Sequence, residues 1–121
     1  MSIREAIREV RKKNKESGRR RGKESENKVG DALGILAANG YITTSWDASG
    51  TEDKFEGIDK HIQLPDGTII DLQVKSSRSG VDIARQNYPH IPAIEVDYNE
   101  KIDHLAMRLL GLIRAKVEGR F

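Results

Sequence analysis

The chain has 121 residues, a third of them charged, no cysteine and a formal net charge of +2. That length allows one domain with a single core, and the lack of thiols excludes a disulfide framework or a thiolate metal centre. No apolar run approaches the ~18 residues needed to span a bilayer and the charged start lacks a signal-peptide apolar region, so no membrane association is expected. An intracellular setting follows: cytoplasm or nucleoid, or host cytoplasm for a viral chain.

The small net charge conceals an asymmetry. Residues 1–28 hold eleven Lys/Arg against five Asp/Glu, whereas residues 29–121 hold ten against fourteen. Ser2-Ile3-Arg4-Glu5 has capping-box form, and Ile3, Ala6, Ile7 and Val10 make a narrow stripe on a short helix ending near Asn14. Residues 1–20 thus read as a basic N-terminal helix or arm, and residues 21–121 as the domain proper. Arg19, Arg20, Arg21 and Lys23 are the arm's candidate phosphate contacts, although solubilising tails share this composition.

A second helix is predicted over Lys23–Asn39, where Glu26, Val29, Gly30, Leu33 and Ala37 share one stripe and Asn39-Gly40 is a stop signal. A strand over Tyr41–Trp46 follows, in which Trp46 either anchors the core, the safer assignment, or faces DNA. The loop 47–56 is polar and includes Ser49-Gly50, Glu52, Asp53 and Glu56. Two alternating runs, 57–64 and 69–75, then flank Pro65-Asp66-Gly67 and predict a β-hairpin. Residues 76–80 read as a flexible loop, and Val81–Ala84 and Asn87–Pro92 as irregular. A fourth strand is predicted over Ala93–Tyr98. Ile102, Leu105, Leu109, Ile113 and Val117 recur at helical spacing to form a closing helix.

The hairpin concentrates the chemistry. A three-residue loop pairs Leu64 with Thr68 and, counting back, Asp59 with Gln73. Paired residues share a face, so Asp59, His61, Asp71, Gln73 and Lys75 gather on one polar side. A carboxylate, an amide carbonyl and an ammonium on a rigid sheet suit a divalent metal beside a phosphate. An ordinary solvated hairpin face carries the same residue types. Glu26, at the head of its apolar stripe, points toward whatever that helix packs on. No His-x-x-x-His pair, nucleophilic triad or glycine-rich phosphate loop is present.

The spacing Asp59…Gln73-x-Lys75 resembles the core motif of the PD-(D/E)xK nuclease superfamily, in the variant where Gln takes the acidic position. Ile58 stands where that motif has proline. The resemblance implies a restriction-endonuclease-like α/β fold: a three-layer core with a mixed central sheet flanked by helices. It also implies Glu26, Asp59, Gln73 and Lys75 as catalytic residues, the first three as ligands of Mg²⁺ (or Mn²⁺ in its place) and Lys75 acting on the attacked phosphate or the water. A neutral amide keeps an oxygen lone pair but removes a charge, so weaker metal affinity is expected.

From about Arg21 through Ser77 the layout is most similar to the archaeal Holliday junction resolvases. That similarity implies a homodimer acting on branched DNA, with Ser49 of the Ser-Gly loop beside the site. Arg78, in the loop after the 69–75 run, is a separate candidate phosphate contact, although ordinary loop chemistry would place it there as well. The expected function is therefore a Mg²⁺-dependent endodeoxyribonuclease resolving four-way junctions. A restriction- or repair-type duplex nuclease, or a DNA-binding protein that has lost cleavage, stands behind it. Two surfaces are offered for dimer pairing: the Ile3, Ile7 and Val10 stripe, and the closing helix of Leu105, Leu109 and Ile113.

Overall fold

The structure, a computed structural model, describes residues 23–50, 57–97 and 99–120. Arg19, Arg20 and Arg21, the Ile3–Val10 stripe and the loop acids Glu52, Asp53 and Glu56 lie outside these residues. Helix α1 covers 23–38. It buries Val29, Ala32, Leu33 and Leu36 at three- and four-residue spacing. Its end is a Schellman motif: Tyr41 N–H bonds Leu36 O at 3.0 Å, Gly40 N–H bonds Ala37 O at 3.1 Å, and Gly40 has φ 80°.

Four strands follow, β1 (Thr44–Asp47), β2 (Lys60–Gln63), β3 (Ile69–Lys75) and β4 (Ala93–Glu95). They lie side by side in that order, with β1–β2 and β2–β3 antiparallel and β3–β4 parallel. The hairpin register is the one its turn predicts: Lys60 pairs with Leu72, His61 with Asp71 and Ile62 with Ile70. Leu64 N–H bonds Thr68 O at 2.8 Å, and Gly67 closes the three-residue loop at φ 90°. The Asp66 carboxylate accepts the Thr68 N–H at 2.9 Å, which holds its carboxyl below the ordinary aspartate value.

Residues 78–87, expected to be loop and irregular chain, form helix α2 (Arg78–Asn87). Ser77 is its N-cap, accepting the Gly80 N–H at 3.1 Å. Only Val81 and Ala84 are buried on it, too few for the apolar periodicity to show. Helix α3 (Ile102–Val117) matches its prediction and buries Leu105, Ala106, Leu109 and Ile113. The first and fourth strands are shorter than predicted, and Trp46 is 41% exposed rather than core.

Helices cover both faces of this mixed sheet. The main core joins α1 and α3 to Ile62, Ile70, Leu72, Val74 and Ile94. On the opposite face Val81 and Ala84 of α2 pack on Ala93, which pairs with Gln73. The α3 stripe of Leu105, Leu109 and Ile113 is at most 6% exposed. It completes the core of one chain and offers nothing to a second copy.

Gly57 sets the approach to β2. It has φ 71°, and a Cβ there would stand 2.6 Å from the Tyr88 ring. The left-handed backbone alone costs a non-glycine residue about 1–2 kcal/mol, and the ring overlap adds to it. Gly57→Ala is expected to lower the thermal midpoint by several degrees in a circular dichroism melt. Gly67→Ala, which meets no neighbour, should show the backbone cost alone.

Candidate functional site

The antiparallel ladder of β2 and β3 stops one pair short of Asp59. Hydrogen-bonded pairs alternate along such a ladder, so after Leu64–Thr68 and Lys60–Leu72 the Val74 N–H should reach the Ile58 carbonyl. It is bonded instead by Asp59 Oδ2, at 2.6 Å, while Asp59 N–H reaches back to Leu72 O at 2.9 Å. The Asp59 carboxylate thus sits where β2 leaves β3, substituting for a backbone acceptor. Ala48 N–H bonds Asp59 O at 3.0 Å from the other side, fixing the residue against β1.

Gln73, across from this point, is 1% exposed, so this part of the hairpin's polar side is buried and not an ordinary solvated face. Its backbone N–H bonds Pro92 O at 2.8 Å, and its side-chain Nε2 donates to Ile91 O at 3.4 Å. Its Oε1 is buried without a hydrogen-bond partner among the described residues. An acceptor left so costs about 1–3 kcal/mol, a penalty that calls for a compensating role. Lys75, two residues on, is half-buried. Its stem lies against the first turn of α2, where a Cβ on Gly80 would come within 3.3 Å of Lys75 Cβ. No hydrogen bond or ion pair holds the Lys75 ammonium among the described residues.

Glu26 is half-buried on α1. The helix passes β2 at Gly30, where a Cβ would lie 3.5 Å from Lys60 Nζ. Near its end the chain meets Gln63, through the Thr43 N–H to Gln63 O bond. Glu26 is one turn before Gly30, toward the end of the sheet where β2 begins, but α1 packs on the sheet face opposite the one that carries Gln73. Among the described residues no three His, Asp or Glu side chains are gathered as a metal site. By donor chemistry alone, Asp59, the Gln73 amide and Glu26 make a mixed oxygen set of the kind that suits Mg²⁺, which keeps several waters and takes few protein ligands. The unpartnered Gln73 Oε1 is the atom that fits such an ion best.

Of the expected DNA contacts, Lys23, Ser49 and Arg78 are exposed. Arg78 lies on the first turn of α2, 3.6 Å from Asp82. Three residues escaped the sequence reading. Lys60 is 8% exposed on the core face and paired with Asp47. Arg85 and Arg108 join Arg78 and Glu95 around a cleft of about 230 Å³ at the β4 edge. Arg85 and Arg78 are seven apart on one helix face, a signal present in the sequence once α2 is known.

A latch fixes this end of the molecule. Glu100, its side chain 5% exposed, accepts Arg108 Nη1 on both oxygens at 2.7 Å, and His104 Nδ1 lies 2.9 Å from its Oε1. Arg108 also reaches Glu95 O, and Lys28 of α1 donates to Glu100 O at 3.1 Å. Burial pushes the Glu100 carboxyl up, but the hydrogen bonds from Arg108 and His104 and the Arg108 charge outweigh it, leaving the group below its ordinary value. A carboxyl lowered in the folded state stabilises above its unfolded pKa, about 4.3, and loses that contribution as pH falls through the folded value. Glu100→Gln is therefore expected to cost about 1.5 kcal/mol near neutral pH, the low end because Arg108 is 39% exposed and partly screened. Urea titrations should show the two proteins converging as pH falls below about 4.

No family model, curated protein or solved structure matches the chain. No helix among the described residues is long and apolar enough to cross a membrane.

Proposed function

We propose that the protein is a Mg²⁺-dependent endodeoxyribonuclease with a restriction-endonuclease-like core, acting on branched DNA. The observation that carries this reading is the end of the β2–β3 ladder. There Asp59 is held by the Val74 N–H, the buried Gln73 Oε1 lacks a partner, and Lys75 follows two residues later. These are the positions of the PD-(D/E)xK motif. Gln73 and Lys75 lie toward the carboxyl end of β3, the kind of strand end at which open α/β sheets place their ligands.

Each residue has a role that follows from its chemistry. Asp59, pinned through Oδ2, presents a fixed negative charge at the sheet end. Gln73 contributes a neutral oxygen from a rigid, buried position. Glu26 approaches from α1 with the second carboxylate. Bound there, Mg²⁺ would polarise a phosphate oxygen and acidify water. Lys75, its ammonium unengaged among the described residues, neutralises charge on the phosphate as water attacks phosphorus and the leaving oxygen departs. Arg78 and Arg85 hold the flanking backbone, with Lys23 and the arginines of the arm. A symmetric homodimer would supply two matched incisions on a four-way junction, and its pairing surface would not be the buried Leu105, Leu109 and Ile113 stripe of α3.

The test is incubation of labelled four-way junctions, duplexes and single strands with Mg²⁺, Mn²⁺ or EDTA. Matched cuts across the junction with either metal and none in EDTA are expected. Binding without cleavage under every condition would overturn the enzyme in favour of a DNA-binding protein on a nuclease fold, the reading that the neutral Gln73 favours.

A further inference from the structure

Trp46, His61 and Asp71 form one row across β1, β2 and β3, each paired with the next. The row lies on the sheet face that carries Gln73, two residues along β3, a spacing of about 7 Å. The Asp71 carboxylate lies 2.6 Å from His61 Nδ1, and the Trp46 ring lies against the imidazole, centroids 5.4 Å apart and planes tilted by 32°. His61 is thus covered, its side chain 12% exposed, while Trp46 remains 41% exposed. In the next row along the same face Ile69 is 53% exposed.

An indole left half in water on a flat sheet, braced beneath by a ring that a carboxylate holds, is poorly explained as core. Its exposed apolar area forgoes the stabilisation that burial would bring. We infer that Trp46, supported by His61, is a stacking platform for an unpaired base of the DNA strand that runs into the Asp59–Gln73–Lys75 site. Sheet-borne aromatic rings recognise unpaired bases in this way, and a paired base within a duplex cannot offer its face to a flat sheet. The platform favours strands splayed next to the cut, as at a branch point, over continuous duplex. The Asp71 carboxylate is turned to His61, 2.6 Å away. This inference rests on the proposal that the same sheet end processes DNA.

Trp46 is the only tryptophan in the chain, so its fluorescence reports on the platform alone. The full chain in EDTA, titrated with a short oligothymidylate, should show quenched emission, and a blunt duplex of equal length should quench little. Trp46→Ala should weaken oligothymidylate binding about ten-fold and leave duplex affinity unchanged, while Trp46→Phe keeps most of the affinity. Absent quenching, or equal quenching by duplex, would overturn the platform, as would unchanged single-strand affinity in Trp46→Ala. Quenching by a protein that never cuts DNA would overturn the nuclease and leave the platform standing. Cleavage without quenching would do the reverse.

Discussion

Asp59→Asn is expected to reduce metal-dependent cleavage by about a hundred-fold or more, with DNA affinity and thermal midpoint close to wild type. The substitution removes the one carboxylate at the end of the hairpin ladder and with it most of the attraction for a divalent cation. It keeps a side-chain oxygen, so the Val74 N–H that Asp59 Oδ2 accepts at 2.6 Å retains a partner. Asp59→Ala strips both charge and acceptor, and the stranded N–H adds about 1–3 kcal/mol of destabilisation. Both variants should be equally inactive, and only the alanine should melt early. DNA affinity survives in each because the phosphate contacts lie on basic residues elsewhere. Cleavage at the wild-type rate by folded Asp59→Asn would remove Asp59 from the chemistry and reduce its role to capping the ladder.

The hairpin was readable from sequence because its turn is chemically specific. Pro65-Asp66-Gly67 puts the left-handed residue third, and a three-residue loop leaves one register for the alternating strands. The ends of α1 and α3 were readable for similar local reasons, Gly40 in one and apolar spacing in the other. Helix α2 was not. It buries only two side chains against β3 and β4, and its Ser-rich start resembles a loop until Ser77 is seen capping Gly80.

The candidate site divides the same way. Its positions on the strands follow from the register, but the environment of each side chain comes from distant chain. Gln73 is buried by the Ile91–Pro92 segment, eighteen residues downstream, and nothing near Gln73 in sequence announces that. Trp46 has core composition, yet β1 is an edge strand whose outer rows α2 does not reach, since α2 packs on β3 and β4. Glu100 and Arg108 meet only because α3 crosses back beside β4.

Gln73 should show a conflict between stability and function. Gln73→Leu keeps nearly the same volume, removes the unpartnered Oε1 and gives up only a long 3.4 Å hydrogen bond. Its thermal midpoint in EDTA is expected to equal or exceed wild type, because deleting an unsatisfied buried acceptor relieves about 1–3 kcal/mol. Its cleavage should fall by about a hundred-fold if that oxygen is a ligand. Gln73→Glu should behave oppositely. A carboxylate at 1% exposure is costly to ionise without a counter-charge, so its pKa rises. In EDTA the variant should then melt below wild type, with a deficit that grows as pH rises above about 4.3. Mg²⁺ supplies the missing charge, so the midpoint should recover with metal and cleavage should match or exceed wild type. The decisive readout is the Mg²⁺-dependent shift in melting midpoint, larger for Gln73→Glu than for wild type and absent in Gln73→Leu. If all three proteins respond alike to Mg²⁺, the buried amide does not face the cation, and the metal reading of this sheet end fails with it.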